Sequence, residues 1–286
     1  MANGNFGGGT GTISDPMLVE DIYDFRAMND DSFYYKLVND ININDSVYAD
    51  KWTTVTLGFM IFDGDGHTIK NLIIDGIIGI YVSSKFLDLS PIIENLNFEN
   101  LLIKNNGKLL LRTSANCYWS KFKNCKISMY LNNISYTSQG CTDCFLDGCS
   151  ISIRAINYNG SSYPIFNLLS TSYTHYRCMF YIDIEEISTV TTPTILSNGI
   201  LQECAVIGKI RKNINQAIRL SSIIKDSYYA ISTTNVTTII DSVQGICFCD
   251  KDILNCTPPT SMFTLTTAQC KDVSFLNSIG FLCAEG

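Results

Sequence analysis

The sequence predicts an all-β fold, a parallel β-solenoid, and three observations point to it. Charged residues make up only 16% of the 286 residues, where about 25% is usual in globular domains. Asparagine, serine, threonine, isoleucine and tyrosine are conspicuous, which suits strands and turns better than solvated helices. Segments of alternating apolar and polar residues recur at intervals of 23 to 29 residues, a period typical of solenoids. Leucine-rich repeats have a similar period, but their fixed leucine and asparagine frame is not visible.

Each repeat is marked by one small or apolar residue that follows a turn-like residue and begins the alternating segment. Clear copies are "FKNCKI" (122–127) and "LDGCSI" (146–151). Because alternate residues of a strand point to the same side, stacked coils would align these markers in an interior ladder. The markers are Leu72, Leu96, Cys125, Cys149, Cys178, Cys204, Ser227 and Val273, with room for one further coil around "IIDSVQGI" (239–246).

Four of the twelve cysteines are markers, and we predict that they are free thiols, because a buried free cysteine packs as a small apolar side chain. A disulfide framework is one alternative. Zinc is another, because Cys141 and Cys144 form a C-x2-C pair with Cys149 close by, and Cys247 and Cys249 form a further pair. No second C-x2-C pair or neighbouring histidine completes such a site. The sequence therefore favours no metal and no cofactor.

The chain divides into an N-terminal arm and capping segment, residues 1–30, and a parallel β-helix, residues 31–286. Ile22, Phe25 and Met28 have helical spacing after an acidic pair. We expect a short capping helix there, because an uncovered first coil would expose apolar interior and unpaired strand edges. The final stretch "FLNSIGFLCAEG" shows no obvious capping helix, so we expect a loop or another subunit to close that end.

Residues 8–76 carry a resemblance to known proteins. The motifs "GGGTGTISDPMLVEDIYDFRAM", "FYYKLVNDININD", Trp52 and "FDGDGHTIKNLIID" follow one another there. This order resembles the start of many right-handed parallel β-helix proteins. These include bacterial adhesin-like proteins with filamentous-haemagglutinin or GLUG-type repeats, and phage tail and spike proteins. The resemblance implies a right-handed parallel β-helix.

The glycine-rich block from Asp63 to His67 raises the question of a metal or catalytic loop. The resemblance implies instead a turn that leads into the first full coil. By that interpretation Gly64 and Gly66 supply positive φ angles, Asp63 and Asp65 bond local backbone, and His67 packs structurally.

Enzymatic function has little support from motifs, although the parallel β-helix also carries polysaccharide lyases and hydrolases and a fold alone does not decide. The G-H-G and R-I-K motifs of polygalacturonase-like hydrolysis are absent. Lyase chemistry needs calcium-binding carboxylates near a base, and "DIEE" (183–186) with Arg211 or Lys212 follows no known pattern. The two histidines, His67 and His175, give little support for a triad. We predict no catalytic residue and keep a polysaccharide lyase or depolymerase as an alternative.

Charge and targeting features favour a virion component. The net charge of -7 and the absence of a basic stripe argue against nucleic acid as a partner. The first nine residues lack the features of a secretory signal, and no apolar run approaches the roughly 18 residues that span a membrane. A phage protein would fold in the reducing host cytoplasm, where thiols stay free, and then join the virion. We expect a non-enzymatic tail, baseplate fibre or spike component. The alternatives are a capsid decoration or head fibre protein and a bacterial surface adhesin.

Residues 157–176 look like an insertion rather than a tight turn. Insertions in solenoids often lie on the binding face, and a tyrosine offers a sugar both a flat apolar ring and a hydroxyl group. Host cell-surface polysaccharide is thus a candidate ligand. Contact between copies, expected as a homotrimer within a larger virion assembly, is the alternative use of these side chains. The candidate residues are Tyr158, Tyr163, Tyr173 and Tyr176.

Overall fold

The fold is that of a computed structural model, which describes residues 4–30, 32–49, 55–75, 80–83, 91–104, 120–132, 144–156, 166–167, 174–185, 194–211, 218–234, 238–253 and 262–278. The chain is an all-β, parallel β-helix with a short helix near its N-terminus, as the sequence predicts. Two long sheets form its walls, and ten strands follow one another in each.

The strands of the first sheet are short in the N-terminal half and longer near the C-terminus. In order they are β1 (Met17–Val19), β2 (Tyr34–Leu37), β5 (Ile61–Asp63), β9 (Ile92–Glu94), β11 (Ser120–Lys123), β13 (Cys144–Asp147), β16 (Thr174–Tyr176), β18 (Thr194–Gln202), β20 (Ile218–Lys225) and β22 (Thr238–Gln244), with β15 (Phe166–Asn167) paired to β18.

The second sheet runs beside the first, and its long central strands stack in parallel pairs. In order they are β3 (Ile41–Asn42), β6 (Thr68–Lys70), β10 (Asn97–Lys104), β12 (Lys126–Asn132), β14 (Ser150–Ile156), β17 (Met179–Ile184), β19 (Ala205–Arg211), β21 (Tyr228–Thr234), β23 (Phe248–Asp250) and β24 (Phe263–Leu265), with β7 (Ile73–Asp75) paired to β10. A separate two-stranded sheet pairs β4 (Val55–Gly58) with β8 (Ile80–Ser83).

The core lies between the two long sheets, because the strand register keeps like residues in line. Ile127, Ile151, Phe180 and Val206 occupy matching positions on four successive strands, and all four are buried. Their neighbours along each strand point outward, as the two-residue period of a strand requires.

A residue with positive φ forms the corner where a first-sheet strand leads into a second-sheet strand. Asn95, Asn124, Gly148 and Arg177 have φ angles of 53°, 51°, 64° and 51°, and each directly precedes a marker residue. Glycine and asparagine adopt this conformation at low cost. The corner asparagines also join coils, because Asn95 Nδ2 donates to Asp63 Oδ1 at 3.0 Å.

The N-terminal helix α1 (Ile22–Ala27) lies where the sequence predicts it. The Asp21 side chain caps it by accepting hydrogen bonds from two first-turn N–H groups at 2.8 and 3.0 Å. Phe25 is buried, and its ring centroid lies 5.9 Å from that of Phe62 in the core. Strand β1 lies inside the predicted arm and pairs with β2, so the arm contributes a strand to the first sheet. The boundary at residue 30 stays a prediction.

The C-terminal end differs from our expectation. The segment marked by Val273 is not a coil; it contains the helices α2 (Thr267–Cys270) and α3 (Val273–Ser278). Thr266 and Gln269 form a reciprocal capping box at the start of α2. The expectation that no capping helix follows the last strand was therefore wrong, because apolar residues three apart also fit one face of a helix.

These two helices cover the last strands of the second sheet. Leu276 of α3 packs with Phe248 and Leu265 in a small apolar cluster that is separate from the main core. Among the residues that the structure describes, no helix has the length and hydropathy to span a membrane.

Candidate functional site on the outer face of the second sheet

The marker residues lie in one row inside the β-helix. Each of the following is at most 2% exposed: Leu72, Leu96, Cys125, Cys149, Cys178 and Cys204. Ser227 and Cys247 are also fully buried and follow the same kind of corner. The seven cysteines whose side chains the structure describes form no disulfide bond.

The thiols of this row bond to the backbone of their own corner. Cys178 Sγ donates to the Tyr176 carbonyl at 3.1 Å, and Cys204 Sγ donates to the Gln202 carbonyl at 3.2 Å. Hydrogen bonding to Cys149 and burial raise the pKa of the Cys125 thiol, and the same two causes raise the pKa of Cys178. Both thiols therefore stay protonated, and their positions fit a packing role in the interior.

The glycine-rich block is a turn, but its residues act differently from our expectation. Gly66 has a φ of 84°, whereas Gly64 lacks a positive φ. A glycine is needed at position 64 for lack of space, because an added Cβ would lie 2.5 Å from Leu96 Cα. Asp63 Oδ1 accepts from the Asp65 N–H at 2.9 Å, while Asp65 itself pairs with the ammonium group of Lys36 at 2.9 Å.

His67 is partly exposed and contacts a carboxylate in the preceding coil. Its Nδ1 lies 3.2 Å from Asp40 Oδ1, which also accepts from the Thr68 N–H at 2.9 Å. The bonds from the Thr68 backbone and His67 lower the pKa of Asp40. This pair ties two coils together on the surface.

His175 lies in the interior and not in a polar site. Its Nδ1 accepts a hydrogen bond from the Leu146 N–H at 3.2 Å, which places the proton on Nε2. Nε2 is buried without a hydrogen-bond partner. Burial lowers the pKa of His175 to about 4, so the imidazole is neutral at physiological pH.

The proposed zinc ligands and sugar-binding tyrosines are only partly described. Cys141 and the side chain of Cys144 lie outside the described residues, and the structure brings no three histidine, cysteine or acidic side chains together for a metal within the described ranges. Tyr158, Tyr163 and Tyr173 also lie outside them. Tyr176 is 37% exposed, and its ring centroid lies 6.5 Å from that of Phe145.

The outer face of the second sheet changes from polar to apolar along the β-helix. The first residues of its N-terminal strands are Thr68, Asn97, Lys126 and Ser150, and those of its C-terminal strands are Met179, Ala205, Tyr228, Phe248 and Phe263. The third residues change in the same way, from Ser128 and Ser152 to Tyr181, Ile207 and Ala230.

Four large apolar side chains are exposed at or just before the first residues of the C-terminal strands. We call Tyr176, Met179, Ile246 and Phe263 the corner strip. Met179 is 45% and Phe263 59% exposed. Arg177, which lies between the first two members, pairs its guanidinium group with Asp147 at 2.7 Å.

A groove of about 530 Å³ opens beside α2 on the same face. Tyr181, Ile207 and Ala230 supply its apolar floor, and Lys209 and Lys271 bring ammonium groups to it. We call this the outer groove. Tyr181 is 39% exposed. A second, smaller groove of about 360 Å³ lies between α3 and Met179.

The α2 wall of the outer groove is fixed by buried polar contacts. Asp250 is 1% exposed and accepts hydrogen bonds from the Thr267 hydroxyl at 2.8 Å and the Asp252 N–H at 2.9 Å. Asp252 accepts from the Thr267 N–H at 2.8 Å. Burial raises the pKa of Tyr228 and of Cys270, which also interact with each other across this wall.

An ion-pair cluster borders the outer groove and contains three residues of the lyase candidate, Asp183, Glu185 and Arg211. Asp183 lies 3.4 Å from the Lys209 amine and 3.7 Å from the Arg211 guanidinium group. Glu185 lies 2.6 Å from Arg154 and 3.7 Å from Arg211. The hydrogen bond from Arg154 lowers the pKa of Glu185. Glu186 and Lys212, the other members of that candidate, lie outside the described residues.

Sequence patterns alone indicate part of this face. The strand residues "MFYI" (179–182) are apolar on both sides, so one side had to be exposed or covered by another element. The groove itself needs α2 as a wall, and α2 lies in the segment that the repeat pattern had assigned to the coil marked by Val273.

Comparisons with known proteins add little. No protein-family model matches the chain, and no curated protein matches it. One solved structure, named "putative immunoglobulin A1 protease from Bacteroides ovatus", is similar with a TM-score of 0.48 and 13% identity, over 92% of this chain and 82% of that one. A similarity at this level carries no conclusion about the function of this chain.

Proposed function

We propose that the chain is a non-enzymatic structural component of a phage virion, in a tail, baseplate fibre or spike, that assembles with further copies of itself. The corner strip is the observation that carries this proposal. Exposed apolar side chains that cluster on one part of a protein indicate a contact surface. The matching positions in the N-terminal half are polar, so the contact would involve the C-terminal half.

A second copy is the proposed occupant of the corner strip, and charge restricts where two copies can meet. The net charge of -7 makes copies repel one another over most of their surface. At the corner strip Arg177 is already paired with Asp147 within the chain. A contact there would keep this ion pair, whereas burial of an unpaired charge would be costly.

Sedimentation equilibrium at micromolar concentration tests self-association. We expect the mass of a trimer for the wild-type chain and a monomer for Met179→Lys combined with Phe263→Lys. A lysine is compatible with the strand at this position, because Lys126 occupies the matching place in β12. Ser128→Lys, on the polar half of the same face, is the matched control and should stay trimeric. A wild-type monomer at every concentration would remove the proposed contact.

The virion role has a separate test. An antibody to this chain should label intact phage particles, and electron microscopy would show whether the label lies at the tail or at the head. Labelling of the head would favour the capsid decoration or head fibre alternative. Labelling of bacterial cells in the absence of phage would favour the adhesin.

The ion-pair cluster supports a non-enzymatic role over a depolymerase. Both carboxylates, Asp183 and Glu185, are neutralised by cations of the same face. A general acid needs a raised pKa at neutral pH, and the pKa of Glu185 is lowered. Purified protein should leave the length of host capsular polysaccharide unchanged, and shortening of the polymer would establish the enzymatic alternative.

A further inference from the structure

We propose that residues 279–286, the final segment, turn back after α3 and place Phe281 in the smaller groove between α3 and Met179, where the segment competes with a second copy for the corner strip. This inference rests on the proposed assembly role and adds a way to regulate it. The final segment lies outside the described residues, and two features support its place: its sequence, and the groove that begins where α3 ends.

The smaller groove, of about 360 Å³, has an apolar floor. The floor consists of register partners on the successive strands from β17 to β23, namely Met179, Ala205, Tyr228 and Phe248. Leu276 of α3 also lines the groove and packs with Phe248. Met179 is 45% exposed. Exposed apolar surface of this kind indicates a contact with a further apolar group.

The residues that follow α3 have the pattern of a glycine-terminated helix end. In this common ending, a glycine lies two residues after the last helical residue and adopts a positive φ, and the next residue packs against the third-last helical residue. The helix α3 ends at Ser278, so these positions are Gly280, Phe281 and Leu276. Because Leu276 lines the smaller groove, this helix end directs the Phe281 ring into it.

Composition and tethering favour the final segment over a separate molecule as the occupant. Residues 279–283, "IGFLC", carry no charge and include three large apolar side chains, which match the apolar floor. Phe281 is the third residue after the end of α3. A tether this short gives an effective concentration on the order of millimolar, well above that of a second chain at micromolar concentration.

Occupation of the smaller groove would regulate the corner strip, because Met179 belongs to both. While Phe281 covers Met179, a second copy cannot contact the complete corner strip. The apparent affinity of self-association is then reduced in proportion to the fraction of chains whose groove is open. The final segment thus acts as an autoinhibitory contact, and its release favours assembly.

Methyl NMR of the full chain, labelled on methionine methyl groups and phenylalanine rings, tests where Phe281 lies. We expect a nuclear Overhauser effect between the Phe281 ring and the Met179 methyl group, and a shift of the Met179 signal in Phe281→Ala. The methyl group of Met129, which is buried in the core, is the internal control and should not shift. Mixing with an excess of unlabelled chain should leave the effect in place. Its absence, or its loss on mixing, which would assign the ring to a neighbouring copy, would overturn the proposal.

Two substitutions of Gly280 test the regulation. Gly280→Val should prevent the turn, because a β-branched residue is an outlier at positive φ, whereas asparagine tolerates this conformation and Gly280→Asn is the matched control. In sedimentation equilibrium we expect Gly280→Val to assemble at concentrations about threefold or more below those of the wild type, and Gly280→Asn to match the wild type. Equal assembly of all three chains would overturn the competition. Monomers of all three at every concentration would overturn the assembly role as well, whereas the NMR result alone decides the position of Phe281.

Discussion

His175 illustrates, at the scale of one residue, how the interior fixes a protonation state. The repeat places this histidine in the interior of a coil. Its Nδ1 accepts one hydrogen bond, whereas the proton on its buried Nε2 has no hydrogen-bond acceptor. An imidazolium ion there would be a buried charge without an acceptor. Its neutral form is therefore a condition for the fold, and its interior position is consistent with the little support that the sequence gave for a histidine triad.

The pH dependence of stability follows from this burial. The unfolded chain takes up the proton near pH 6.5, whereas the folded pKa of His175 is about 4. Between these values the unfolded state binds more protons, so the free energy of unfolding falls by about 3 kcal/mol as the pH drops from 6.5 to 4. Urea unfolding of wild type and His175→Gln at several pH values should show that the variant loses this slope.

The other histidine supplies the control for that experiment. His67 lies on the surface beside Asp40, and His67→Gln, which removes a histidine but leaves His175 in place, should keep the part of the slope that His175 causes. An equal slope in wild type and His175→Gln would show that His175 is not the group responsible.

Thiol reactivity is a second prediction at this scale. Of the seven cysteines whose side chains the structure describes, Cys270 is partly exposed and the other six are buried. In the native protein we expect iodoacetamide to modify Cys270 well before those six, as read by mass spectrometry of peptides. In denaturant without reductant all 12 thiols should react. A lower number would reveal disulfides and contradict the interior ladder of free cysteines.

At the scale of the element, the corner residue decides how each coil turns. Glycine or asparagine holds positive φ at several corners, but Arg177, Glu203 and Asp226 also do, with φ of 51°, 56° and 46°. A residue with a Cβ pays about 1 to 2 kcal/mol for this conformation unless its side chain compensates. Arg177 has the ion pair with Asp147, and Asp226 accepts from the Ile246 N–H at 2.9 Å.

Glu203 is therefore the corner residue at which a substitution should increase the stability of the fold. We expect Glu203→Asn to raise the free energy of unfolding by up to about 1 kcal/mol, because asparagine populates this conformation more readily. Glu203→Val should lower it by at least about 1 kcal/mol, since a β-branched residue is an outlier there. Urea denaturation of both variants measures the effect. Similar stability of the two would mean that the corner relaxes to another conformation.

The same corners explain how much of the fold could be predicted. The two-residue alternation and the markers from Leu72 to Cys204 were enough for the parallel β-helix, because each buried row depends only on strand period and coil length. The end of the repeat was not predictable in this way. Val273 has the spacing of a marker, yet it begins α3. At the start of that helix Asp272 Oδ1 accepts from the Phe275 N–H at 3.0 Å, and Leu276 packs with Phe248, so contacts outside the repeat pattern favour the helix.

At the scale of the whole molecule, the two halves of the second sheet differ in what they can contact. The sequence indicated that apolar side chains face outward, but not where they meet, since the corner strip joins residues of three coils. The outer groove needed still more, because its floor comes from three strands and its wall from α2. Both features depend on contacts between distant segments, which a repeat pattern in one sequence does not specify.

Self-association through the corner strip should respond to salt, and this is the last prediction. It brings together chains of net charge -7, so salt should strengthen it by screening their repulsion. Raising sodium chloride from about 0.02 to 0.5 M shortens the Debye length from roughly 20 to 4 Å. Sedimentation should then show a larger trimer fraction. A smaller trimer fraction at high salt would indicate that the contact depends on attraction between charges, contrary to an apolar contact through the corner strip.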